Sequence, residues 1–210
     1  MHDFTSRSIV SRARAAIPHN EIVLSKCLLE LHQHGLLLKS DSVLPSVTTF
    51  VAGAPVRGSW WSHPASHQIF QTLEQLSHHP DVLVVKLVAG KDTLVDRCLW
   101  PAIYAIATAG EDWQWKGLTK DARTLYTALS AAGQVEAMGA VARSLEGRLL
   151  AHAEQFHTAA GHHSKRLESW VRWARRVGLE EPDLPILEAK RAIEGIFPAA
   201  KLPWKRTSAV

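Results

Sequence analysis

From Asn20 onward the apolar residues fall at Val23, Leu24, Cys27, Leu28 and Leu31, the i, i+3, i+4 spacing of one helix face. Asn20 stands where an N-cap belongs, Glu21 sits in the first turn, and Gly35 is placed to close the helix. Residues 39–57 lose that period, and Val47–Val51 is the segment that predicts a short strand. Pro64 suits the first turn of a second helix, with Ile69, Phe70, Leu73 and Leu76 on one face and Pro80 beyond its end. Next comes the strongest β-signal: Val82–Val88 and Thr93–Leu99 flank Ala89-Gly90-Lys91-Asp92. With glycine at the first central position, the spacing predicts a hairpin closed by a type II′ turn.

The second half repeats the order with different residues. Pro101 opens a short apolar helix reaching Thr108, and Thr119 caps another whose inward face is Ala122, Leu125, Tyr126 and Leu129, ending at Gly133. A helical stretch over Val135–Leu150 follows, with Met138, Val141, Ala142, Leu145 and Leu149 inward. Leu149–His157 and Ser164–Ser169 are spaced to pair across Ala159-Ala160-Gly161, and Leu167, Trp170, Val171, Ala174 and Val177 keep helical spacing. After Pro182 and Pro185 a last amphipathic helix carries Leu187, Ile193 and Phe197. The expected organisation is a basic N-terminal arm (1–19), a helix–helix–hairpin unit (20–110), a second such unit (111–180), and a C-terminal helix with a basic tail (181–210, its tail from 198). Helices followed by an antiparallel β-hairpin are the layout of a winged helix, a helix-turn-helix variant whose hairpin is the wing. The expected fold class is therefore α+β, mostly helical, with winged-helix-like units. A small α+β domain with no groove-binding role fits the same order.

Composition narrows the function classes. Of 210 residues, 46% are apolar and 21% charged, a globular balance that excludes extensive disorder. Apolar runs such as Val82–Val85 fall far short of the roughly 20 residues of a membrane span, so no membrane is expected as a partner. No secretory signal is visible at the N-terminus. Cys27 and Cys98 sit in apolar segments without a CxxC, which reads as two buried thiols in a reducing cytoplasm. Residues 141–210 hold 12 Lys+Arg and 8 Asp+Glu, a net of +4 that equals the whole-chain excess. Arg143, Arg148, His162, His163, Lys165, Arg166, Arg172, Arg175 and Arg176 form the candidate polyanion-binding set, and duplex DNA is the expected partner.

Eight tryptophans occur, several as near neighbours: Trp60 and Trp61, Trp113 and Trp115, Trp170 and Trp173. The segment from Gly58 to His67 places Ser59, Ser62, His63 and His67 beside two flat rings, the mixture that an enzyme acting on an extruded base requires. In that reading Trp60, Trp61, Ser59 and His67 hold the base. His63 is the acid for the departing base, and Asp96 or Asp92 stabilises the cationic sugar, with Asp81 a further carboxylate. The structural alternative is that the Trp pair seals the core while Ser62 or His63 caps the next helix. A Trp-rich surface docking a protein partner is a third option.

Twelve histidines raise the question of a metal, with His152, His157, His162 and His163 the densest set. On a strand 152 and 157 face opposite sides, and on a helix they stand about 140° apart. There is no HExxH and no CxxC, so neither a metal nor another cofactor is expected. A P-loop and a GxSxG elbow are also absent.

Two stretches carry a resemblance. Gly58-Ser59-Trp60-Trp61-Ser62-His63-Pro64 with the hairpin Val82–Pro101, and Leu145–Trp173 with its His157, Gly161 and His162, resemble a group of uncharacterised bacterial proteins. The second stretch is also similar to part of the winged-helix DNA glycosylases that excise bulky or crosslinked alkylated purines. Those glycosylases are longer, and their Gln-containing catalytic motif has no counterpart here. The resemblance implies DNA binding, with base removal and DNA repair as its extension, and transfers no catalytic residue.

Overall fold

The computed structural model describes residues 19–157, 163–198 and 200–205. Helix α1 (His19–His34) ends where the Gly35 N–H donates to Leu31 O at 2.7 Å and Gly35 turns to φ 74°, a conformation that glycine adopts without a Cβ clash. Strand β1 (Leu36–Leu38) follows at once, and all three leucines are buried. This strand has no alternation to betray it, because both of its faces are covered.

Residues 47–51, expected as a strand, are helical instead, within α2 (Val47–Ala52). The Ser46 hydroxyl accepts from Thr49 N–H and Gly53 closes the other end at φ 77°, so caps decide the matter over the β-preference of Val and Thr. Helix α3 (Ser66–Ser77) buries Ile69, Thr72, Leu73 and Leu76, while Phe70, expected inward, is exposed.

The first hairpin forms from β2 (Val82–Lys86) and β3 (Asp92–Asp96), with Val84 opposite Leu94. Its turn differs from expectation. Lys91 N–H donates to Val88 O, and Ala89 (φ 53°) and Gly90 (φ 73°) occupy both central positions. Two left-handed central residues make a type I′ pattern rather than II′, and it serves the same strand twist. The segment Arg97–Leu99, expected as strand, is a 3₁₀ turn started by the Asp96 side chain, which accepts from Cys98 N–H. The antiparallel sheet has the order β1–β3–β2.

Helices α4 (Trp100–Thr108), α5 (Asp112–Trp115) and α6 (Lys120–Ala132) follow, the last capped by Thr119 and closed by Gly133 as its sequence indicates. Strand β4 (Gln134–Ala137) then occupies the start of the expected helical stretch, leaving α7 only Gly139–Glu146. Met138 is therefore exposed at the boundary rather than inward. Strands β5 (His152–His157) and β6 (His163–Glu168) pair antiparallel, and the second sheet has the order β4–β6–β5. The expected turn residues Ala159-Ala160-Gly161 lie outside the described residues, as do 1–18 of the arm and 206–210 of the tail. Helices α8 (Trp170–Val177) and α9 (Ile186–Ile196) complete the element order.

Three apolar clusters hold these elements together. One face of the first sheet (Leu37, Val82, Leu94) packs on Cys27 and Leu31 of α1 and on Ile69, Leu73 and Leu76 of α3. Its other face (Leu36, Leu38, Leu83, Val95) packs on Ile103 and Ile106 of α4, Trp173 of α8 and Ile193 of α9. The third cluster lies under the second sheet, joining Leu167 to Ala122 and Leu129 of α6 and Leu145 of α7. Residues 200–205 do not form a loose tail: Leu202 is buried in the core of the first sheet, and Trp204 Nε1 donates to Glu194 at 2.7 Å. Of the two thiols, Cys27 is buried but Cys98 is exposed, and both are free. No helix among the described residues is long and apolar enough to cross a membrane.

Candidate nucleic-acid interface

Two of the basic residues of the second half, Arg172 and Arg176, meet one buried carboxylate. Glu168, at the end of β6 and only 7% exposed in its side chain, accepts from Arg176 Nε at 3.1 Å and Arg176 Nη2 at 2.7 Å. Arg172 Nε lies 3.5 Å from the same group and His152 Nδ1 lies 3.8 Å away. The hydrogen bond to Glu168 raises the Arg176 pKa against the opposing effect of burial. His152, wedged against the Trp170 and Trp173 rings, is pushed down to about 4 because burial outweighs the attraction of Glu168. Arg176 is thus committed to holding α8 onto the sheet.

Two further members of the set are also internal fasteners. Arg148 Nη1 donates to the Trp113 carbonyl at 2.8 Å, tying the loop before β5 to α5. Lys165 pairs with Glu146, joining β6 to the end of α7. Arg166 lays its guanidinium 5.2 Å from the centre of the Phe156 ring, and its Nε is buried without a hydrogen-bond partner. Arg143, exposed on α7, and Arg175, exposed on α8, have side chains that form neither a hydrogen bond nor an ion pair among the described residues. His162 lies outside the described residues. His163 contributes its backbone to β6, while its side chain, like that of His157, is not described.

The Trp-containing segment lies elsewhere, in the first unit. Trp60–Ser62 is a 3₁₀ turn in which the two indoles stack, centroids 4.0 Å apart and planes 24° from parallel. Trp61 is 63% exposed and leans on exposed Phe70 of α3 at 5.9 Å, whereas Trp60 is half-buried and packs against the core cluster of α1 and α3, so one ring closes the core and the other forms a surface. His63 Nδ1 accepts from Ala65 N–H at 3.1 Å in the turn ahead of α3; the N-cap itself is Ala65, so neither Ser62 nor His63 caps that helix with its side chain. Ser62 Oγ donates to Ser59 O, and Ser59 and His67 are exposed.

Among the described residues no hydrogen bond or ion pair joins the candidate carboxylates to His63. Asp92 pairs with Lys86 at 2.6 Å across the hairpin, and Asp81 pairs with Arg97 at 3.2 Å. Asp96 accepts from Cys98 N–H at 3.0 Å and lies 3.4 Å from His32 Nδ1; these contacts hold its pKa below the ordinary value although burial opposes them. Partial desolvation and Asp96 push the Cys98 thiol up to about 11, so it is not an activated thiolate. Asp92 and Asp96 stand at opposite ends of β3, about 13 Å apart by strand rise, too far to share one site. Among the described residues no group of three His, Cys, Asp or Glu side chains is arranged to hold a metal.

Sequence reasoning did not find the cavity of about 600 Å³ between α4, α6 and α8. Trp115, Tyr126, Ser130, Arg172 and Arg175 line it, together with the first residues of α8. Tyr126 belongs to the inward face of α6 by periodicity, yet it is only half-buried, because the cavity begins where that face ends. A second cavity, about 30 Å³, lies between Lys86–Asp92 and Glu146. Neither is lined by Trp60, Trp61 or His63. Comparison with protein-family models, with curated proteins and with solved structures finds no match to the chain.

Proposed function

We propose that the chain is a duplex-DNA-binding protein made of two winged-helix-type units, and that the second unit makes the contact. In each half a helix leads into a short strand, one or more helices follow, and a hairpin returns so that its second strand pairs with the short one. That order, first strand–third strand–second strand, is the winged-helix plan. In such a unit the helix before the hairpin enters the major groove and the hairpin touches the flanking backbone.

The observation that carries the proposal is Arg143. It projects from α7, the helix in the groove-reading position, exposed and without an internal partner among the described residues. Arg166 adds a second charge on the adjoining hairpin. The first unit lacks this arrangement: α3 (Ser66–Ser77) contains no Lys or Arg, and Lys91 at its hairpin turn is paired with Asp41 at 2.6 Å. At the same turn Ala89 N–H donates to Lys201 O at 2.7 Å. Gel shifts at low salt test the reading. Arg143→Ala with Arg166→Ala is expected to weaken duplex binding about tenfold and to lower the salt slope by about two ions. Absence of binding to any duplex at low salt would end it.

A second reading is favoured by the exposed Trp61–Phe70 surface: the first unit serves as a protein-docking module, as aromatic surface patches commonly do. Base removal has less support, because His63 is bonded into the start of α3 while Asp92 and Asp96 are engaged elsewhere.

A further inference from the structure

We propose that the cavity between α4, α6 and α8 binds a nucleoside monophosphate, a site that goes beyond duplex contact and does not depend on it. About 600 Å³ lies within the usual range for small-ligand sites and is too small for a duplex. No acidic residue lines it, and two arginines do. The Arg175 side chain forms no hydrogen bond or ion pair among the described residues, and Arg172 meets Glu168 through Nε, which leaves its terminal NH₂ groups for a ligand. A phosphate dianion is the ligand group that two guanidiniums match best, and they lie beside the start of α8, where Ser169, Trp170 and Val171 also line the cavity.

The rest of the lining has different chemistry. Trp115 and Tyr126, half-buried and edge-to-face at 4.9 Å, offer aromatic surface to a flat ring. Ser130 brings a hydroxyl, and Ser130, Ala131 and Ala132 bring helix-end carbonyls, while Leu129 O is already taken by the Gly133 N–H. Those acceptors suit the ring N–H and amino groups of a nucleobase, whereas a plain inorganic anion would leave them unused. Gly133 allows the close approach: at φ 74° it ends α6, and a Cβ there would meet Arg172 Cδ at 3.3 Å.

Isothermal titration of the full chain with AMP, GMP, CMP and UMP tests the site, with inorganic phosphate and adenosine as controls. Saturable binding of at least one monophosphate is expected, and Arg175→Ala should weaken it tenfold or more. Ser130→Trp, which fills the cavity from an exposed position, should abolish it. Ser130→Trp is expected to keep the parent melting curve and duplex affinity, whereas Arg143→Ala should change duplex affinity alone, so the two sites fail separately. A 5′-phosphorylated single-stranded oligonucleotide that binds more tightly than the mononucleotide assigns a nucleic-acid strand as the source of the nucleotide; weaker binding assigns the free nucleotide. The proposal is overturned if no monophosphate saturates, if phosphate alone binds as well, or if both substitutions leave binding unchanged.

Discussion

The two halves share an order of elements but use their sheets in different ways. The first sheet is sandwiched, with α1 and α3 on one face and α4, α8 and α9 on the other. Its β1 is accordingly Leu-Leu-Leu. The second sheet buries Leu167 and Ala153 toward α6 and α7 and carries Glu136, Glu154 and Gln155 at the surface, so its strands mix polar with apolar residues. The lesson is that burial on one face or two, more than topology, sets the strand sequence. A plan that works as a scaffold in one copy is free to present charges in the other.

The largest expected effect distinguishes the sheets directly. Leu38→Ala should cost about 3–4 kcal/mol, since it empties a site enclosed by the first sheet, α4 and α9, while Val135→Ala on half-buried β4 should cost about 1 kcal/mol. Urea midpoints at constant slope measure both, and equal losses would break the comparison.

Next is acid sensitivity at the junction of the halves. The His152 pKa falls from 6.5 to about 4 on folding, so the unfolded chain binds the proton first. Its contribution is complete above pH 6.5 and drains away as pH falls toward 4, to a total of about 3 kcal/mol. His152→Gln should flatten that part of the stability–pH curve, and an unchanged curve would show that the imidazole is not dehydrated. Leu202→Ala follows at about 2 kcal/mol, where a true tail residue would show none. The smallest effect belongs to Trp61→Ala, which should stay within about 0.5 kcal/mol by thermal melting. A loss beyond 1.5 kcal/mol would mean that the aromatic surface is structural after all.

Much of the fold is legible where a cap or a turn coincides with periodicity. Thr119 and Gly133 bracket α6, Gly35 ends α1, and the two strands of the first hairpin stand out because β-branched residues surround Ala89-Gly90. What is illegible has local causes. Strand β1 is three residues between a glycine and a polar loop, and β4 imitates the period of the helix behind it. In α2 the Ser46 cap competes with a β-rich composition and wins. The candidate interface is only partly readable for a different reason. A count of arginines registers charge but not its partners, and Glu168 takes up Arg176 and part of Arg172 from one buried position. Tyr126 and Ser130 share a face of α6 by their i, i+4 spacing, but they meet Trp115 and the arginines only through the way α5, α6 and α8 pack, a relation between elements that no spacing within one of them encodes.

The contact between Ala89 and Lys201 bears on the order of events during synthesis. The two residues lie 112 positions apart, and Leu202 enters the same core. Domains of a nascent chain ordinarily close from the N-terminal end as they emerge. Here the first sheet cannot finish until Leu202 has emerged, because that residue belongs to the cluster that covers Leu87 and Val88. A message broken before codon 200 would therefore yield a chain whose first half presents a greasy hairpin to the cell. Copies cut before Leu202 are in this way open to chaperones and proteases, and the signal is hidden once that residue is in place.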